Sequence, residues 1–121
     1  MEKRGILICF NVRSKKFDSN YERNKFFRGL YGWKQMIRKE TKDGKKKYEY
    51  ERKGLLDEVP HKKVDQSSFI VETDDAEKLF EFFDEWSDKV IWNTFKVLLD
   101  KNIFKEMEEM RENIEKEMFG D

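Results

Sequence analysis

Apolar residues fall into short runs, and the spacing inside each run predicts its element. The stretch Gly5–Arg13 opens the chain's clearest one: Ile6, Ile8, Phe10 and Val12 alternate with Leu7, Cys9 and Asn11. Both faces are mostly apolar, which predicts an interior strand covered by helices on at least one side. A polar connection, Lys15–Asn20, follows. Ser19 and Glu22 then have capping-box spacing, so a short helix is expected with Tyr21, Phe26, Phe27, Leu30 and Tyr31 on its apolar side. Gly29 weakens that helix and Gly32 stops it.

Trp33–Glu40 reads as a half-buried strand with Trp33, Gln35 and Ile37 on one face. Asp43-Gly44 is a strong hairpin signal, and Lys46–Arg52 is the return arm, with Tyr48 and Tyr50 sharing a face. Gly54–His61 reads as a loop, because Pro60 opposes a helix there. Ser67–Glu72 is the next strand. Asp74 and Glu77 again have capping-box spacing, ahead of an amphipathic helix whose buried stripe runs through Ala76, Leu79, Phe80, Phe83, Trp86 and Val90. Phe82 points away from that stripe and is a candidate interface residue. Ile91–Leu99 is the last strand. Lys101–Phe119 is a helix with a seam of Ile103, Met107, Met110, Ile114 and Met118. That seam packs either on the chain's own sheet or against a partner's helix.

The order is strand, helix, strand, strand, helix, strand, with a hairpin (about 34–53) inserted between the middle strands. Right-handed split crossovers turn it into an α+β, ferredoxin-like βαββαβ antiparallel sheet with the helices on one face. The first strand and Ser67–Glu72 would be central. Residues 1–100 make this domain, and 101–121 append the C-terminal helix.

Composition modifies the picture in three ways. Charged residues make up 43% of the chain, which suggests disorder, but 11 Phe, 4 Tyr and 3 Trp argue for a packed core. Such a Lys/Glu-rich surface around aromatics also resembles hyperthermophile proteins. The net charge of zero conceals a strong asymmetry. Residues 1–63 hold 19 Lys and Arg against 9 Asp and Glu, whereas residues 64–121 hold 7 against 17. The single cysteine, Cys9, excludes an intrachain disulfide and a cysteine zinc site, and sits where a small buried hydrophobe fits. No signal peptide is recognisable and no apolar run approaches the ~20 residues of a membrane span. The expectation is a soluble, cytoplasmic protein with no membrane partner.

Two residue sets are candidates for chemistry. Asp57, Glu58, His61 and Asp65 are the best weak candidates for a catalytic or metal site, although Lys62 and Lys63 interrupt them, nothing fixes their relative geometry, and a solvated loop is the favoured reading. Arg13, Lys15, Lys16, Arg38, Lys39, Lys42, Lys45, Lys46, Lys47, Arg52 and Lys53, interleaved with Trp33, Tyr48 and Tyr50, have the composition of a nucleic-acid surface. There cations would neutralise phosphates and aromatics would stack on unpaired bases. The alternatives are a solubilising hairpin, or pairing with the acidic half of a second copy. No Walker loop, dinucleotide glycine pattern or nucleophile elbow is present.

Phe10-Asn11-Val12 at the end of the first strand, a basic helix, and Tyr31-Gly32-Trp33-Lys34-Gln35 together resemble the CRISPR-associated Cas-two family, and more widely the Cas-two-like domain of phenylacetate-pathway repressors. The resemblance follows residues 5–99 in element order, with motif matches near 8–12 and 31–35. It implies a ferredoxin-like homodimer that acts either as a metal-dependent endonuclease or as a scaffold holding DNA. Nuclease members carry a metal-binding aspartate where this chain has Asn11, and a neutral amide is a poor ligand for Mg²⁺. The resemblance thus favours a dimeric DNA- or RNA-binding or assembly module without efficient cleavage and without a cofactor. Mg²⁺ or Mn²⁺ would be needed only by a nuclease. A protein-interaction module that uses the Lys101–Phe119 helix and ignores nucleic acid is the third expectation.

Overall fold

A computed structural model describes residues 3–42 and 44–119, apart from the side chains of Ile37, Lys39, Thr41 and Lys46. The protein is α+β, with an antiparallel sheet and three α-helices. Strand β1 (Lys3–Val12) lies inside a four-stranded sheet of order β4-β5-β1-β6, between β5 (Ser68–Glu72) and β6 (Val90–Leu99). Alternation along β1 sorts its residues as the sequence predicts. Ile6 and Ile8 lie opposite Val71 and Phe69 of β5, and all four are buried.

Helices α1 (Asn20–Tyr31) and α2 (Ala76–Glu85) cover this face with Phe26, Leu30, Leu79 and Phe83. The Phe10 ring joins the two, 5.7 Å from Phe26 and 5.3 Å from Phe83. Each fully buried side chain of this size contributes about 1.5–3 kcal/mol of transfer free energy.

Helix α1 starts at its expected cap. The Ser19 hydroxyl accepts from the Glu22 N–H at 3.2 Å, while the Glu22 carboxylate accepts from the Asp18 N–H one residue earlier than a capping box requires. The Asp74–Glu77 capping box does not form. Thr73–Asp75 makes a 3-10 turn, and the Asp75 carboxylate accepts from Arg111 instead. Helix α2 also stops at Glu85, short of the predicted stripe's end. The Ser87 hydroxyl donates to the Asp84 carbonyl at 2.6 Å, and Val90 opens β6 while staying buried.

Phe82 packs within its own chain, half-buried. It stacks on Phe26 of α1 (5.5 Å, 28°), because Gly29 leaves room for it: a Cβ on Gly29 would stand 3.2 Å from the Phe82 ring. The glycine that weakens α1 locally makes the α1–α2 packing possible.

The largest departure lies between the hairpin and β5. β2 (Trp33–Thr41) and β3 (Gly44–Arg52) form a separate two-stranded sheet. The strand beside β5 is β4 (His61–Asp65), which the sequence reading leaves partly as loop and partly unassigned. Lys62, Lys63 and Asp65 give it no apolar alternation. Pairing with β5 creates it, with a register shift between Lys63 and Asp65.

Helix α3 (Lys101–Phe119) docks on its own chain against β4. Met107 is 0% exposed, the Met110 Sδ accepts the His61 N–H at 3.3 Å, and Lys62 pairs with Glu106 at 2.8 Å. Arg111 bridges Glu72 and Asp75, and these carboxylates raise its pKa above the usual guanidinium value. The α3 partners Lys62 and Glu72 alternate with the residues under α1 and α2, so α3 covers the β4–β5 side of the opposite face of the sheet.

Candidate nucleic-acid interface

The hairpin leaves the body between two glycines. Gly32, at φ +79°, ends α1, and Gly54 returns the chain against it. Asp57 closes the return by accepting the Gly54 N–H at 2.8 Å.

Register then sorts the hairpin's side chains. Trp33, Gln35 and Ile37 lie opposite Arg52, Tyr50 and Tyr48, so the three aromatics share a face, with Tyr48 and Tyr50 39% and 40% exposed. Tyr48 and Tyr50 are about 6.8 Å apart along β3, two residues of an antiparallel strand. Arg28 of α1 sits 4.4 Å over the Trp33 ring, and Arg52 sits 6.0 Å from the Tyr50 ring. Each guanidinium is placed for a cation–π contact with its ring.

The other face carries Lys34, Met36, Arg38 and Glu40 opposite Glu51, Glu49, Lys47 and Lys45. Near the body it is compensated, with Lys34 and Glu49 3.4 Å apart. Toward the tip Arg38 lies directly opposite Lys47 on this face, with Glu40 opposite Lys45 beyond it, and the register pair Lys39 with Lys46 falls on the aromatic face. Like charges directly opposite destabilise a strand pair. Lys42 and Lys45 extend this cationic end, while Asp43 and the side chains of Lys39 and Lys46 lie outside the described residues.

The rest of the basic set lies elsewhere. Arg13, Lys15 and Lys16 follow β1 beside the N-terminus of α1, whereas the hairpin starts from its C-terminus. Twelve residues of helix separate the two ends, about 18 Å. Between them runs a row that the sequence reading does not contain as a site: Arg23 over Phe27, Phe27 stacked on Tyr31 at 6.4 Å, and Lys63 over Tyr31. The i, i+4, i+8 spacing of Arg23, Phe27 and Tyr31 is visible in the sequence; Lys63 and the Arg28–Trp33 contact require the fold. Burial raises the Tyr31 pKa, and its hydroxyl donates to the Gln66 carbonyl at 2.6 Å. Lys53 is occupied, because Glu117 of α3 pairs with it at 2.6 Å and raises its pKa.

The acidic set does not converge. Asp57 caps the hairpin return and Glu58 ends a 3-10 turn, while His61 and Asp65 occupy opposite ends of β4. The Val59 carbonyl accepts from His61 Nδ1 at 2.8 Å, which fixes the proton on that nitrogen. Asp65 accepts from the Ser67 N–H and the Ser68 hydroxyl, both at 2.7 Å, and the hydroxyl bond lowers its pKa. Among the described residues no three His, Cys, Asp or Glu side chains are grouped to hold a metal ion. Asn11 is exposed near the end of β1, opposite Ile91.

Comparison with protein-family models, curated proteins and solved structures finds no match in any of the three. Among the described residues no helix is long and apolar enough to cross a membrane.

Proposed function

We propose that this chain is a Cas-two-like, ferredoxin-like module that binds nucleic acid or holds it in an assembly, and that the β2–β3 hairpin makes the contact. The observation that carries the reading is the hairpin's register. Arg38 lies directly opposite Lys47, a like charge, on one face of the hairpin, while the other face bears Trp33, Tyr50 and Tyr48 and continues into the register pair Lys39 with Lys46. A polyanion relieves that repulsion, and unpaired bases stack on the exposed tyrosines. The sheet order β4-β5-β1-β6 with α1 and α2 on one face supports the ferredoxin-like part of the proposal. Asn11, together with the dispersal of Asp57, His61 and Asp65, favours binding over cleavage. A homodimer belongs to the same proposal, and sedimentation of the free chain tests it.

The test is fluorescence anisotropy with single- and double-stranded DNA and RNA in Mg²⁺ across a salt series. Affinity should fall log-linearly with salt, and the Arg38→Glu/Lys45→Glu/Lys47→Glu variant should lose it. No binding at low salt, or unchanged affinity in the variant, overturns the reading; cleavage of the same oligonucleotides would restore the endonuclease alternative.

A further inference from the structure

The two edges of the main sheet are treated differently. Edge strands invite pairing with another chain, and proteins blunt them with charges, bulges or a covering element. Edge β4 has all three: Lys62, Lys63 and Asp65, a register shift, and α3, whose Met110 Sδ takes the His61 N–H. Edge β6 has no bulge and only one charge, Lys96. It runs ten residues in unbroken register with β1 and among the described residues pairs on one side only. It also exposes apolar side chains, with Ile91 44% and Phe95 54% exposed.

Beside this edge, on the face covered by α2, lies a cleft of about 460 Å³ lined by Phe80, Glu81, Asp84, Trp92 and Thr94. Its floor is aromatic: Trp92 packs on Phe80 at 5.9 Å and on Phe83 at 5.6 Å. Its rim is acidic. Such a site fits a side chain with an apolar stem and a cationic head, with the head meeting the carboxylates and the ring face.

We propose that β6 and this cleft bind an extended segment of a partner protein in which apolar and basic residues alternate. A strand added to β6 sends alternate side chains to opposite faces. One set falls beside Trp92 and Thr94, where Glu81 and Asp84 select Arg or Lys. The other falls beside Ile91 and Phe95, which select apolar residues. Charge complementarity and the two-residue period thus specify the same ligand. This surface is separate from the hairpin, and the inference stands whether or not the hairpin binds nucleic acid.

The experiment uses the full chain and a fluorescein-labelled heptapeptide of alternating valine and arginine, followed by anisotropy. The valine–arginine peptide should bind, and a valine–glutamate peptide should not. Methylating the backbone nitrogens of the peptide should abolish binding, because strand addition needs the N–H groups on the side that meets β6. Glu81→Lys/Asp84→Lys should weaken binding at least tenfold, while the hairpin variant Arg38→Glu/Lys45→Glu/Lys47→Glu should bind as the parent does. Equal affinity for the methylated peptide, or in the Glu81/Asp84 variant, overturns the proposal. So does a stable dimer in sedimentation whose β6 amides are protected from exchange, since a second copy would then own the edge.

Discussion

Gly32 and Gly54 face each other at the neck of the hairpin so closely that neither has room for a side chain. A Cβ on Gly32 would stand 2.7 Å from the Gly54 nitrogen, and one on Gly54 would stand 2.6 Å from the Leu30 carbonyl oxygen. Gly54→Ala should therefore destabilise the protein by about 2 kcal/mol or more, as expected where backbone must shift. Gly32→Ala adds the strain of its φ of +79°. Thermal melts of both variants check this, and a parent-like melting temperature for Gly54→Ala would refute the close approach.

Phe82→Ala should cost roughly 2–3 kcal/mol, because the half-buried ring packs between α1 and α2. Urea denaturation measures it. A neutral effect would return Phe82 to the role of an interface residue.

Tyr48→Ala/Tyr50→Ala should separate stacking from charge. If unpaired bases stack on these rings, the loss for single-stranded oligonucleotides is about 1–3 kcal/mol per base. Double-stranded DNA, whose bases are already stacked, should change little. Equal losses on both substrates would mean that the hairpin reads phosphate alone.

Asp65 makes stability depend on acid. Its native pKa lies below the usual aspartate range, chiefly because the Ser68 hydroxyl bonds the ionised form. The unfolded chain therefore binds the proton more tightly than the native one. The stabilisation is full above the unfolded pKa and disappears as pH falls through the lowered native value. Asp65→Asn should flatten the acid limb of a stability–pH curve below about pH 4. Chemical denaturation at several pH values would detect it, and an unchanged limb would count against this role.

Met107→Asp should release α3, since it places a charge at a position that is 0% exposed. Limited proteolysis should then cut within Lys101–Phe119 while the sheet survives. Resistance equal to the parent's would show that Arg111, through Glu72 and Asp75, holds the helix unaided.

What the sequence discloses depends on whether one element decides the outcome. β1 and the Ser19 cap are local patterns, and both form. The grouping of Trp33, Tyr48 and Tyr50 follows from strand period and a turn signal, so that part of the candidate site is legible too. β4 is not, because its polar residues become a strand only by pairing with β5 and receiving Met110 from α3. The role of Phe82 is written in Gly29 on another helix. Arg28 reaches Trp33 only because α1 ends where it does. The seam of α3 is readable as a seam, but the surface that receives it is not.

The juxtaposition of Gly32 and Gly54 has one more consequence. The chain departs from the scaffold and rejoins it at nearly the same point, so the twenty-one intervening residues add little closure cost to the sheet beneath. Hairpin length is then a free variable: each residue pair added moves the tip outward by about 3.4 Å and leaves the core register untouched. Evolution or design can lengthen, shorten or recharge this arm without renegotiating the fold that carries it.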